Sequence, residues 1–176
     1  MKQTDFDLRS LAVRAAQAAG FTESQAELFG RAAVRHVTQG RDCASLLEAL
    51  HNPTDSPILR LPLVLEDTLS ACRVLGGSAE LTLNPADTEL VQSYVELLPG
   101  PISSCKVTIR NGLPRLQVTT SVTQDASPER PQEVAVPETL LEQLRTLAAP
   151  PKPRPSFAER AGQVAQKANA SQEPAR

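Results

Sequence analysis

Three groups of residues in this chain have types and spacing that could do chemistry. Glu66 and Asp67 are adjacent carboxylates, the material of general acid–base work. Neighbours on a helix point apart, however, so the pattern favours two solvated acids near a helix start. Cys43 with His36 or His51 could make a thiol–imidazole pair. His51 lies eight residues on, about two helical turns away and beyond hydrogen-bond reach, so Cys43 reads as structural. His36 reads as a solvated residue near a helix C-terminus, where partial positive charge is welcome. Arg9, Arg14, Arg31, Arg35 and Arg41 could form a basic surface over two helices, as a nucleic-acid binder would need. Glu27 stands four residues before Arg31, the spacing of a supportive pair on a solvated face.

Other chemistries find little material. Cys43, Cys72, Cys105, His36 and His51 show no CxxC or HxxxH spacing, so neither a metal nor a cofactor is expected. Gly76-Gly77 precedes a strand pattern rather than a helix, and no phosphate-loop motif occurs. Both glycines then read as a helix stop. If a small-molecule pocket exists between helices and sheet, its polar lining would draw on Glu66, Asp67, Arg73 and Tyr94. No catalytic residue is assigned, and the chain leans away from being an enzyme.

The elements that would position these residues are legible from composition and period. The chain has 176 residues and a net charge of −2, which offers no general attraction for nucleic acid or acidic lipid. Four Phe, one Tyr and no Trp leave the core to Leu, Val and Ala. The odd, scattered cysteines read as reduced, buried small hydrophobes, and the N-terminus lacks an apolar signal core, so a cytoplasmic location without membrane contact is expected.

Apolar spacing predicts a helix over 5–19, ended by Gly20. Thr22 with Gln25 is a capping-box pair that opens a second helix to about 39. Small residues Ala26, Gly30 and Ala33 would let the first helix approach it closely. Asp42 can cap a short third helix over 43–51. Pro62 suits a first helical position, and 62–77 is apolar most of the way round, as a buried helix would be.

After Gly77 the period changes to two. Residues 79–83 alternate as a strand, and Asn84-Pro85 opens a helix to about 98. Residues 104–110 and 113–122 alternate on either side of Asn111-Gly112, the preferred two-residue hairpin turn. That turn pairs Arg110 with Leu113, Val107 with Leu116 and Cys105 with Val118. Pro114 suggests that 113–122 is an edge strand, which would put 79–83 beside 104–110, parallel to it through a crossover. Residues 124–132 read as a polar loop. Pro137 opens a closing helix over 138–148. Residues 149–176 are Pro-rich, with five basic residues against two acidic, and read as a disordered, weakly basic tail.

The first fifty residues also carry a resemblance. An Ala-rich helix ends at Gly20, Ala26-Glu27 leads to Gly30-Arg31-Ala32-Ala33, and Gly40 precedes Leu46-Leu47. In this, residues 8–50 resemble the opening of an uncharacterised bacterial domain family of unknown function. The resemblance implies a bacterial cytosolic protein and brings no activity.

Together these readings give an α+β domain over 1–148 and a tail over 149–176. A four-helix N-terminal layer packs on a small mixed β-α-β-β sheet, closed by a C-terminal helix. The expected function is a non-catalytic cytosolic binding or assembly module, with a protein partner or a second copy of itself. The alternatives are a small-molecule-binding protein or small enzyme with a pocket between helices and sheet, and a nucleic-acid-binding helical hairpin.

Overall fold

Small residues lay down the helical half. A computed structural model describes residues 2–98, 102–120 and 133–150. In it α1 (Asp5–Ala19) and α2 (Glu23–Thr38) pack together as a hairpin. Gly20, at φ 106°, ends α1 in the left-handed region. The capping box at α2 is complete: Thr22 N–H donates to Gln25 Oε1 at 3.0 Å, and Gln25 N–H donates to Thr22 Oγ1 at 3.4 Å. Gly30 sets the helix spacing, because a Cβ there would fall 2.5 Å from Val13 Cγ2 and 3.0 Å from the Arg9 carbonyl oxygen. The short helix α3 (Ala44–Glu48) follows, with Asp42 Oδ1 accepting from Ala44 N–H at its start.

Helix α4 (Pro57–Val74) departs from expectation in two ways. It starts five residues before Pro62, because Ser56 caps it and Pro57 takes the first position. Pro62 thus sits in the second turn and forgoes the bond to the Ile58 carbonyl. Nor is α4 buried all round. Ile58, Leu61, Leu65, Thr68 and Cys72, at alternating spacings of three and four, form one buried stripe, while Leu63 is 63% and Val74 84% exposed. Leu59, Val64 and Ala71 flank the stripe half-buried against the core, and Leu63 and Val74 face water.

The β half is a three-stranded sheet in the order β2 (Ser78–Thr82), β4 (Leu113–Thr120), β3 (Ile102–Arg110). Between β2 and β3 run a 3-10 turn, Pro85–Asp87, capped by Asn84, and helix α5 (Thr88–Val95). Asn111 (φ 52°) and Gly112 (φ 76°) make the two-residue turn, and the hairpin has the register the sequence predicts, from Arg110–Leu113 through Cys105–Val118. A bulge falls between Ile102 and Ser104.

The strand order corrects the expectation. Every pairing is antiparallel, β4 is central, and β2 and β3 are the two edges. Pro114 misled because it lies where the β2 ladder runs out: its carbonyl accepts from Leu83 N–H at 2.8 Å, and its missing N–H is asked for nothing. Burial carried the better signal. Pro114, Leu116 and Val118 are buried on β4, whereas Cys105 and Val107 on β3 are half-buried.

Helices α4 and α5 pack against the sheet, and α6 (Glu138–Leu147) closes the body against α1 with Leu140, Leu141 and Leu144. A two-stranded pair that the sequence reading did not foresee joins β1 (Lys2–Thr4) to β5 (Glu133–Ala135). Leu8, Phe29, Leu61, Tyr94, Leu116 and Leu140, drawn from α1, α2, α4, α5, β4 and α6, share one core. The architecture is α+β, with no helix among the described residues long and apolar enough to cross a membrane. The expected loop at 124–132 and nearly all of the expected tail lie outside the described residues.

Candidate functional site

The densest polar centre is built on His36, in the last turn of α2. The sequence reading placed it in solvent, yet it is 0% exposed. Its Nε2 lies 2.7 Å from the Asp42 carbonyl oxygen and 3.3 Å from Ser45 Oγ, and its Nδ1 lies 3.0 Å from Ser93 Oγ on α5. A carbonyl oxygen only accepts, so Nε2 carries the proton and Nδ1 accepts from the Ser93 hydroxyl. Ser93 Oγ in turn accepts from Arg41 Nη1 at 2.7 Å, and Arg41 Nη2 donates to Glu96. The bonds therefore run one way, from Arg41 to Ser93 to His36 to the Asp42 carbonyl. Burial lowers the His36 pKa below its ordinary value, opposed by the Asp42 carbonyl bond and aided by the nearby Arg41 charge.

A serine hydroxyl donating to an imidazole is the first half of a nucleophile–base pair. Here it cannot act as one. Ser93 is 0% exposed, and its oxygen already holds the Arg41 guanidinium. The cluster instead ties the end of α2, the turn after it and α5 into one unit. Cys43 fares no better as a nucleophile. Its half-buried thiol sits 3.8 Å from the Arg41 carbonyl, and burial together with Asp42 raises its pKa. Both ring nitrogens of His36 are engaged elsewhere, and His51 is exposed.

A second polar centre fixes the other end of this region. Asp87, 1% exposed, accepts from Arg60 Nη2 at 2.7 Å and from Arg60 Nε at 3.1 and 3.2 Å. Arg60 also donates to Asp55. The bond to Asp87 raises the Arg60 pKa further, against the opposing effect of burial. Ser93, Arg60 and Asp87 were not singled out from sequence. A signal for Ser93 was present: it stands three residues after Leu90 and four before Leu97, inside an apolar stripe. His36, three residues after Ala33, is placed the same way. A polar residue at such a position needs a buried partner.

The candidate pocket residues divide between surface and core. Glu66, Asp67 and Arg73 are exposed on α4, and Tyr94 is buried on α5 with its hydroxyl unpartnered among the described residues. Burial raises the Tyr94 pKa well above its ordinary value. The five arginines separate too. Arg9 pairs with Glu27 at 2.7 Å, where Arg31 had been the expected partner. Arg14 and Arg31 are exposed, Arg35 is half-buried, and Arg41 turns inward to Ser93. Of the cysteines, only Cys72 is buried; Cys43 and Cys105 are half-buried.

A cavity of about 480 Å³ does lie between helices and sheet, walled by Arg35 of α2, by Gln92, Val95 and Glu96 on and just after α5, and by the start of β3 from Ile102 to Cys105. Cys105 lines it, its thiol pKa raised by burial and by Glu96. No group of three or more His, Cys, Asp or Glu among the described residues could hold a metal ion.

Beside this cavity runs the outer edge of β3. The closing pair of a two-residue turn, Arg110–Leu113, is hydrogen-bonded, so Thr108, Lys106 and Ser104 also point their backbone groups at β4. The bonds from Leu83 N–H to the Pro114 carbonyl and from Thr120 N–H to the Gly77 carbonyl confirm the parity, because they show the alternate β4 residues facing β2. Cys105, Val107 and Ile109 therefore turn their N–H and C=O groups outward, and no strand among the described residues pairs with them. The chain matches no protein-family model, and neither the curated proteins nor the solved structures contain one with significant similarity to it.

Proposed function

We propose that the chain is a non-catalytic binding and assembly module that works in the cytoplasm and receives a partner strand along β3. The observation that carries this reading is the open edge at Cys105, Val107 and Ile109 on a nine-residue strand. An edge of that length with no proline in it is a template for strand addition. The reading is supported by the fact that the nearest approach to a catalytic pair, Ser93 and His36, is closed to solvent. Val107→Pro removes an outward N–H without touching the bonds to β4. Affinity capture with the wild-type chain is expected to retain a partner that V107P loses while keeping its circular dichroism. Capture that is the same with both, or empty with both, counts against the proposal.

A second reading rests on the cavity. A volume of about 480 Å³ falls within the range of small-ligand sites, and its wall mixes apolar Val95 and Ile102 with polar Gln92 and Ser104. Thermal-shift screening against a metabolite library tests it. A stabilising ligand whose effect vanishes in Cys105→Phe would move the function to the cavity, and a flat screen would remove that reading.

A further inference from the structure

We propose that the strand received by β3 is β3 of a second copy, paired antiparallel about a two-fold axis at Val107, so that two three-stranded sheets join into one. This rests on the assembly reading above and names its partner.

Backbone parity limits the choice. The outward residues Cys105, Val107 and Ile109 must face outward residues of the other strand. The axis can then fall on Cys105, Lys106, Val107 or Thr108. Charge decides among them, because like charges directly opposite each other destabilise a pair. An axis on Lys106 sets Lys106 against its own copy. An axis on Thr108 sets Lys106 against Arg110 twice. An axis on Val107 sets Lys106 against Thr108 and Ser104 against Arg110, with no like charges opposed. An axis on Cys105 is also free of repulsion, but it leaves Ile109 overhanging the strand it should pair with.

Side-chain burial points to the same axis. Ile109 is 67% exposed, a β-branched residue with no cover in a single copy. With the axis on Val107, Ile109 of the second copy lies directly across from Cys105. A two-fold normal to the sheet keeps both on the same face, which is the face where Cys105 walls the cavity with Val95 and Ile102. Each copy thus places an exposed isoleucine beside the other's cavity. The edge residues Ser104 to Ile109 include no proline to prevent the pairing. Paired over so few residues, the dimer is small and its population depends on concentration.

Sedimentation of the full chain in reducing buffer tests the proposal, with variants at Thr108, a half-buried position opposite Arg115 of the same chain, each first checked for an unchanged circular dichroism spectrum. Thr108→Glu sets a carboxylate against Lys106 twice per dimer, and Thr108→Lys sets an ammonium there. At ~0.2–1 kcal/mol per cross-strand pair, dimerisation should tighten about two- to thirty-fold in T108E and weaken by a similar factor in T108K. The dimer should appear at twice the 18.9 kDa chain mass and be lost in V107P and Ile109→Glu. A dimer equally strong in T108E and T108K would overturn the pairing. So would a chain that stays monomeric at every concentration. If that monomer still captures another protein in a V107P-sensitive way, only the second copy is refuted; if it captures none, the assembly reading falls with it.

Discussion

The His36 centre and the β3 edge handle hydrogen-bonding groups in opposite ways. Around His36, each strong donor and acceptor is matched inside the protein: Arg41 to Ser93 and Glu96, Ser93 to His36, and His36 to the Asp42 carbonyl. Along β3, no strand among the described residues pairs with the outward groups of Cys105, Val107 and Ile109. The first region contains the side chains usually associated with catalysis, and it is closed. The second is plain backbone, and among the described residues it is open. In this chain the residue types that invite a chemical reading serve to hold α2, α5 and the intervening turn together, while the binding capacity we propose rests on strand geometry.

Three changes to the interior would sharpen that contrast, since each should alter stability and leave the edge as it was. The largest effect is expected from Arg60→Ala, which leaves the Asp87 carboxylate buried without its charged partner. A loss of about 3–5 kcal/mol in urea unfolding is expected. A loss within error would mean that Asp87 finds water or another partner.

Ser93→Ala comes next. It leaves His36 Nδ1 and one Arg41 donor without a partner and should cost about 1–3 kcal/mol. The same centre has a pH signature. The folded-state pKa of His36 is lowered, so the unfolded chain binds more protons as pH falls below the ordinary histidine value of 6.5. The stability held by neutral His36 is complete above that pH and is lost as pH falls from there through the folded pKa. The urea midpoint should fall between pH 7.5 and 5, and His36→Gln should flatten that part of the slope. A midpoint that rises on acidification would contradict the buried neutral tautomer.

The smallest effect is expected from Tyr94→Phe. It removes a buried hydroxyl that has no partner among the described residues, so stability should stay level or rise by up to ~1 kcal/mol. A clear loss would show that the hydroxyl is bonded.

Local rules were enough to place α1, the capping box of α2, the close approach at Gly30 and the register of the β3–β4 hairpin. Each depends on residues near in sequence or on a turn whose chemistry admits few geometries. What the sequence hid depends on distant partners. Pro114 could signal an edge or a ladder's end, and only β2 decides which. Leu63 and Val74 look as buried as Leu65 until α4 has chosen its face. His36 and Ser93, 57 residues apart, show only that each breaks an apolar stripe. The partner that makes the pair intelligible comes from the packing of α5 on α2.

Residue-resolved amide exchange across a range of protein concentrations tests the open edge most directly. In dilute solution the amides of Lys106, Thr108 and Arg110, bonded to β4, should be protected, while those of Cys105, Val107 and Ile109 exchange freely. On concentration the three free amides should become protected together. Free exchange at 105, 107 and 109 at every concentration, with or without a captured partner present, would contradict the account.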